Sequence, residues 1–200
     1  MDIDNLPELS IIWDEARNLI KAGDHNKAIE VYNYILVRYS DDVAAIEYAH
    51  AYLSDIYLTL RQIDLAEEHI RKALKYNPEK PDYHYILGFI YTYKRLWKKA
   101  IAEFGIAVTE EPDDVEFIRG LGSATWMGGN REKGLALLHR ANAMAPKNVN
   151  VLIDLAVAYL DSDIDRARKY AEMAMVIEHG NSLVKKVWNK IKEIDGRAIT

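Results

Sequence analysis

The stretch PDYHYILGFIYTYKRLWKKAIAEFGIAVTEEPDD, residues 81–114, is the clearest copy of a unit that recurs along the chain. It contains Pro112, and two further prolines, Pro78 and Pro146, lie 34 residues before and after that position. Each proline follows an amphipathic helical stretch with an alanine in the same register, at Ala73, Ala107 and Ala141. Self-similarity at one fixed period of this length predicts a solenoid of repeats rather than a globular domain.

Two sets of small residues keep the same register outward from this unit in both directions. The first is Ala28, Ala66, Ala100, Gly134 and, one residue early, Ala167, and the second is Ala16, Ser54, Gly88, Gly122 and Ala156. Large apolar residues recur four positions after the first set, at Tyr32, Ile70, Phe104 and Leu138, and leucines precede the second set at Leu53, Leu87, Leu121 and Leu155. Because two helices approach closely only where side chains are small, this alternation predicts tightly paired helices.

The combined pattern of small, large and proline positions resembles the tetratricopeptide repeat, whose units are helix–turn–helix pairs. The third unit carries the resemblance best, through Leu87-Gly88, Tyr91, Trp97, Ala100, Phe104, Ala107 and Pro112. The resemblance implies an all-α fold, a right-handed α-solenoid of about five helix–turn–helix repeats with a C-terminal capping helix.

The register of the repeats also predicts where the solenoid, its five repeats, the capping helix and the two tails begin and end. Residues 1–8 and 196–200 are predicted tails, the solenoid covers 9–180, and the capping helix covers 181–195, with repeats over 9–42, 47–80, 81–114, 115–148 and 149–180. Four extra residues, 43–46, are close to one helical turn and predict a longer first helix in the second repeat. In the capping helix, Asn181 or Ser182 is the expected N-cap, and the apolar stripe is Leu183, Val184, Val187, Trp188, Ile191 and Ile194.

Composition and charge argue against several kinds of binding partner and several kinds of chemistry. The 26 basic and 31 acidic residues give a formal net charge of −5 without any basic cluster, which argues against nucleic-acid and anionic-lipid partners. The chain has no cysteine, which excludes disulfides, thiol nucleophiles and cysteine-ligated metals. Residues 1–7 are acidic where a signal peptide needs basic residues, and no apolar run reaches the length of a membrane span. We therefore expect a cytoplasmic protein that does not insert into membranes.

Residues capable of catalysis do not form a recognisable constellation. None of the six histidines lies in an HExxH spacing. His50 and His84 share one register position, so two readings remain: packed, hydrogen-bonded histidines, or two ligands of a metal site that lacks further ligands. The pairs Asp41-Asp42 and Asp113-Asp114 fall at expected helix starts, where carboxylates cap free N–H groups. The sequence therefore predicts a protein that is not an enzyme, without cofactor or metal.

The functional prediction comes from the resemblance, because the first helix of each tetratricopeptide repeat lines a concave channel. The candidate peptide-binding groove consists of Trp13, Arg17, Tyr48, Tyr52, Asp55, Asp82, Tyr85, Phe89, Tyr93, Glu116, Arg119, Trp126 and Asp154, with Tyr83 at its rim. Exposed tyrosine and tryptophan are typical of binding hot spots. The acids Asp14, Asp55, Asp82, Glu116 and Asp154 are expected to select basic flanks of a peptide. The alternative is that the aromatic side chains only fill space between neighbouring helices.

One known subclass of these repeats holds a terminal carboxylate in a clamp of lysine, asparagine and arginine side chains. Where the clamp needs a lysine, this chain has Asp82 or Glu116, which repel a carboxylate. We therefore predict a protein–protein interaction scaffold or adaptor that does not bind the acidic tails of heat-shock chaperones. The alternative function is self-assembly into a homo-oligomer, through the groove or through the ends of the solenoid.

Overall fold

Short acidic or amide side chains fix the beginnings of several helices. Asp42 Oδ1 accepts a hydrogen bond from the backbone N–H of Ala45 at 3.0 Å, and Asp114 Oδ1 accepts one from Phe117 at 2.9 Å. Each bond satisfies one of the N–H groups that a helix start leaves without an intrahelical partner. The predicted capping roles of Asp42 and Asp114 are confirmed.

The structure is a computed structural model that describes residues 8–198. Over that range the backbone forms eleven helices and no strand, which confirms the all-α fold class. The helices are α1 Leu9–Lys21, α2 His25–Arg38, α3 Val43–Thr59, α4 Ile63–Tyr76, α5 Pro81–Tyr93, α6 Trp97–Glu110, α7 Val115–Met127, α8 Arg131–Met144, α9 Val149–Tyr159, α10 Ile164–Ile177 and α11 Ser182–Ala198. Residues 1–7 of the predicted N-terminal tail and 199–200 of the C-terminal tail lie outside the described residues.

Helices α1 to α10 follow one another as five helix–turn–helix pairs, and α11 comes after the last pair. Helix α3 has 17 residues, whereas α1, α5 and α7 have 13 each, so the four extra residues lengthen this helix as predicted. Asn181 Oδ1 accepts the backbone N–H of Leu183 at 2.9 Å and caps α11. This helix continues to Ala198, three residues past its predicted end, within the stretch assigned to the tail. No helix among residues 8–198 combines the length and the apolar character that crossing a bilayer requires.

The described part of the chain divides after residue 94 into two compact units, the first with helices α1–α5 and the second with helices α6–α11. The division falls between the two helices of the third predicted repeat. The first unit buries Ile12, Tyr32, Ile35, Leu53 and Ile56 in one apolar cluster. The cluster of the second unit contains Ile118, Leu138, Leu152, Leu155 and Ile191, and the last of these comes from the capping helix.

The alternation of small and large residues determines how closely the helices pair. All ten small positions are buried, as are the four large positions at Tyr32, Ile70, Phe104 and Leu138. Ser54 also donates from Oγ to the carbonyl oxygen of Ala66 at 2.9 Å, which ties α3 to α4 at their contact. Some predicted core residues differ from expectation: Leu121, Trp188 and Ile194 are only half-buried, and Leu183 on α11 is 49% exposed.

The turns inside the first four pairs share one backbone feature. A residue with positive φ occurs at Gly23, Arg61, Arg95 and Gly129. The fifth pair lacks it, because Asp163 at the matching position has a φ of −155° and already caps α10. That pair is one residue shorter, which explains why Ala167 comes one residue early in the register.

Candidate functional site

The candidate aromatic side chains of α3 share one face of that helix, and those of α5 share one face of theirs. Tyr48, Tyr52 and Asp55 follow one another at spacings of four and three residues, and Tyr85 and Phe89 at a spacing of four. Residues at these spacings share one side of a helix. Together with α1, these faces form two open pockets.

Pocket A is a cavity of about 430 Å³ lined by Asp55, Leu58, Thr59, Arg61, Tyr85, Ile86, Phe89 and Tyr93. Phe89 meets the ring of Tyr93 edge to face, with centroids 5.1 Å apart, and stacks at 6.5 Å on Tyr85. The guanidinium of Arg61 lies 5.0 Å from the centroid of Tyr93 and donates to its hydroxyl oxygen at 2.6 Å. Pocket A therefore has an aromatic wall with an acid on one helix and a base in the adjoining turn.

Pocket B is a cavity of about 380 Å³ lined by Ser10, Trp13, Asp14, Arg17, Tyr48 and Tyr52. Tyr52 stacks on the buried ring of Tyr32 at 5.3 Å and contacts Trp13 at 5.8 Å. Tyr48 remains 49% exposed. Tyr52 thus supports the floor of pocket B, whereas Tyr48 is available to a ligand.

The second unit contains the remaining candidate residues, around α7 and α9. Trp126 and Asp154 line a small cavity of about 60 Å³, together with Ser123, Met127 and other neighbours. Arg119 joins Glu116 at 2.8 Å and Asp154 at 2.9 Å, and Ser123 Oγ donates to Asp154 at 2.6 Å. These contacts tie α7 to α9, so part of the predicted groove chemistry is used inside the fold.

The predicted rim residue Tyr83 and the predicted groove residue Asp82 have other surroundings. Tyr83 is buried at 4% exposure, and its hydroxyl donates to Glu47 Oε1 at 2.9 Å, so it belongs to the core and not to the rim. Burial and the adjacent carboxylate of Glu47 raise the pKa of this phenol. Asp82 is exposed, lies 3.8 Å from the ammonium of Lys80, and lines neither pocket.

Arg61, Thr59 and Ser10 line the pockets and were missed by sequence reasoning. A signal existed for Arg61, since it occupies the turn position that Gly23 and Gly129 occupy in other repeats. A residue with a side chain is strained at a position that favours glycine, so a long basic residue there indicates a compensating contact. Here that contact is the ring and hydroxyl of Tyr93.

His50 and His84, which share one register position, each have a hydrogen-bond partner within the first unit. His50 Nδ1 lies 3.0 Å from His69 Nδ1, on the second helix of its own repeat, and His84 Nε2 lies 2.8 Å from the carbonyl oxygen of Pro78. Within residues 8–198, no group of three or more potential ligands is placed to hold a metal ion. Both His50 and His84 are therefore packed, hydrogen-bonded histidines.

The His50–His69 pair predicts a stability that depends on pH. Burial lowers the pKa of His50 to about 4, with His69 and Lys72 adding to the effect and Glu68 opposing it, and burial also lowers the pKa of His69. Between pH 6.5 and 5 these histidines bind protons in the unfolded chain, whereas in the folded pair they stay largely neutral. The free energy of unfolding therefore falls as the pH falls. We expect the free energy of unfolding to decrease by about 1–2 kcal/mol from pH 7 to 5.

Urea titrations at the two pH values measure this loss. The His50→Gln variant should lose less on acidification than wild type, whereas His179→Gln, at an exposed site outside the pair, should follow wild type. An equal loss in wild type and His50→Gln would show that the pair is not responsible.

The fold and the pockets define a class: an all-α repeat protein with open, aromatic surfaces on its first helices. Residues 53–114 match the family model described as a tetratricopeptide repeat. The chain is a tetratricopeptide-repeat protein.

Known proteins with similar sequence or structure agree with this class. The chain is 30% identical over 179 residues to BBSome complex member BBS4 of Bos taurus, covering 88% of this chain and 33% of that protein, so it spans about a third of the relative's length. The solved structure of TTC0263, a thermophilic TPR protein in Thermus thermophilus, superposes with a TM-score of 0.74 at 16% identity and covers 91% of this chain and 98% of its own. YrrB, described as a TPR protein with an unusual peptide-binding site, superposes with a TM-score of 0.63 at 19% identity. The match covers 89% of this chain and 90% of YrrB.

Proposed function

We propose that this chain is a non-catalytic interaction scaffold or adaptor that binds a peptide segment of a partner protein across pockets A and B of its first unit. One observation carries the proposal: two cavities lined by aromatic residues open side by side on α3, with Tyr52 in one and Asp55 in the other. Three residues along a helix correspond to a rise of about 4.5 Å, so neighbouring side chains of one peptide reach both cavities.

The size and lining of the pockets favour anchors that are apolar or aromatic. Each cavity, at about 430 and 380 Å³, has room for one or two large side chains. Tyr48 and Tyr93 are 49% and 42% exposed, and they offer large contact areas at low cost in conformational entropy. The competing reading, that these rings only fill space, fits Tyr52 better, because that ring stacks on Tyr32.

Two comparisons support a protein or peptide as the partner. YrrB is described as having a peptide-binding site, and BBS4 as a member of a complex, although the fold alone does not transfer either property. We further propose that the acidic tails of heat-shock chaperones do not bind, because Asp82 and Glu116 replace the lysines of a carboxylate clamp. A micromolar affinity for such a tail would contradict this. We also propose that the chain is cytoplasmic and does not bind nucleic acid, because its formal net charge is −5 and its sequence has no basic cluster.

The test compares two variants in a pull-down from lysate of the source organism, with bound proteins identified by mass spectrometry. The groove variant carries Tyr48→Ala and Phe89→Ala, which remove ligand-facing rings without touching the Tyr32–Tyr52 stack. We expect its affinity for a protein captured by wild type to fall at least about tenfold, the loss typical of hot-spot residues. Far-ultraviolet circular dichroism and the midpoint of urea unfolding show that the variant is folded.

The matched control carries Tyr34→Ala and Tyr76→Ala, two tyrosines 43% and 44% exposed on the second helices of their repeats. It should retain the partner. Equal capture by both variants would refute the groove as the binding surface. Capture of only further copies of this chain, together with a mass that rises with concentration in analytical ultracentrifugation, would favour self-assembly instead.

A further inference from the structure

The five acids expected to select basic flanks differ in how they are neutralised. Asp14 is paired with Arg17, and Glu116 and Asp154 are both paired with Arg119. Asp82 lies 3.8 Å from Lys80 and outside both pockets of the first unit. Among the described residues no Lys, Arg or His forms an ion pair with Asp55. Of the five acids expected to select basic flanks of a peptide, Asp55 is therefore the one best placed to do so.

Asp55 is also placed to contact a ligand. It lies on α3 at the edge of pocket A, opposite the half-buried rings of Tyr85 and Phe89 on α5. Loss of hydration raises the pKa of its carboxyl group, and the charge of His25 only partly opposes this effect. Asp55 nevertheless remains exposed to solvent, so its carboxylate is open to hydrogen bonds from a cation that a ligand supplies.

Arg61 does not supply that cation, although it lines the same cavity. Its guanidinium donates to the hydroxyl of Tyr93 and lies over the ring of that residue. Its backbone sits in the left-handed region, at φ 61°, in the turn between α3 and α4. Arg61 thus closes one side of pocket A and leaves Asp55 for the ligand.

We propose that pocket A is an arginine-binding subsite, in which Asp55 accepts hydrogen bonds from a guanidinium of the partner peptide that stacks on the aromatic wall. This inference rests on the proposed peptide-binding function and assigns a specific side chain to one of its two pockets. Arginine is favoured over lysine, because the planar guanidinium both stacks on aromatic faces and binds a carboxylate through two N–H groups.

A library of random heptapeptides displayed on phage tests the assignment, selected at 0.15 M salt against the immobilised full chain. The variants are Asp55→Asn, which removes the carboxylate, and Asp82→Asn, which removes the same charge from an exposed acid outside the pockets. We expect arginine to be enriched about tenfold at one peptide position by wild type and by Asp82→Asn. Asp55→Asn should lose that enrichment while still selecting apolar and aromatic anchors.

Each other outcome contradicts a defined part of the proposal. Equal enrichment of arginine by Asp55→Asn would assign the preference to the overall negative charge and overturn the subsite. Selection of apolar anchors without arginine would overturn the subsite and leave the groove intact, and enrichment of acidic residues would make Arg61 the selecting group. Failure of all three proteins to enrich any peptide would contradict both the groove and the subsite.

Discussion

The Gly134→Ala variant is expected to be less stable than wild type by about 1–2 kcal/mol, although alanine occupies the matching position in the first three repeats. A Cβ atom at residue 134 would lie 2.5 Å from the backbone N and 2.7 Å from Cα of Trp126. Those atoms belong to the backbone of α7 and cannot rotate away, so α7 and α8 must separate. Overpacking of this kind costs about 1–3 kcal/mol, more than the helix propensity that alanine adds.

Gly105→Ala is the matched control for this effect, since Gly105 lies inside α6 and a Cβ there meets nothing within 4 Å. That variant should be about 0.5–1 kcal/mol more stable than wild type, because alanine loses less conformational freedom in a helix than glycine does. The free energy of unfolding in urea, followed by circular dichroism, measures both. A Gly134→Ala protein as stable as Gly105→Ala would show that α7 and α8 are not held at this contact.

Phe104→Ala is expected to produce the largest loss of stability, about 3–5 kcal/mol, because the ring is fully buried and its removal leaves a cavity. The ring fills the space that a side chain at residue 120 would take: a Cβ on Gly120 would lie 2.8 Å from Cε1 of Phe104. The two positions, on α6 and α7, are therefore complementary in volume.

A double-mutant cycle separates this complementarity from a general loss of apolar area. In wild type, Gly120→Ala should destabilise the chain by about 1–3 kcal/mol through collision with the ring. In the Phe104→Ala background the same change should be neutral or stabilising, because the added methyl group enters the cavity. Urea unfolding of the four proteins gives the coupling energy, and additive losses would show that the ring moves away from Gly120 at little cost.

Much of the fold could be predicted because each repeat encodes its own helix pair locally. The prolines, the two sets of small residues and the caps at Asp42 and Asp114 report on contacts within a few residues or one period. The four-residue insertion also behaved as one helical turn, since about 3.6 residues complete a turn and leave the register unchanged. The division into two units between α5 and α6 had no such local signal.

The candidate site was predictable only in outline. Helical spacing placed Tyr48, Tyr52, Tyr85 and Phe89 on the faces that line pockets A and B. It could not reveal that Tyr83, beside them in sequence, turns inward to Glu47.

The sequence by itself determined the repeat, the family and which helix faces carry aromatic and acidic residues. Only the tertiary structure decided which charges are free, because ion pairs form between side chains on different helices, as Arg119 on α7 and Asp154 on α9 show. The partner of His50, the position of Arg61 over Tyr93 and the absence of an ion pair to Asp55 among residues 8–198 were decided in the same way. Periodicity specifies the direction in which a side chain leaves its helix, whereas its partner depends on the distance and rotation between helices, which packing of the whole unit determines.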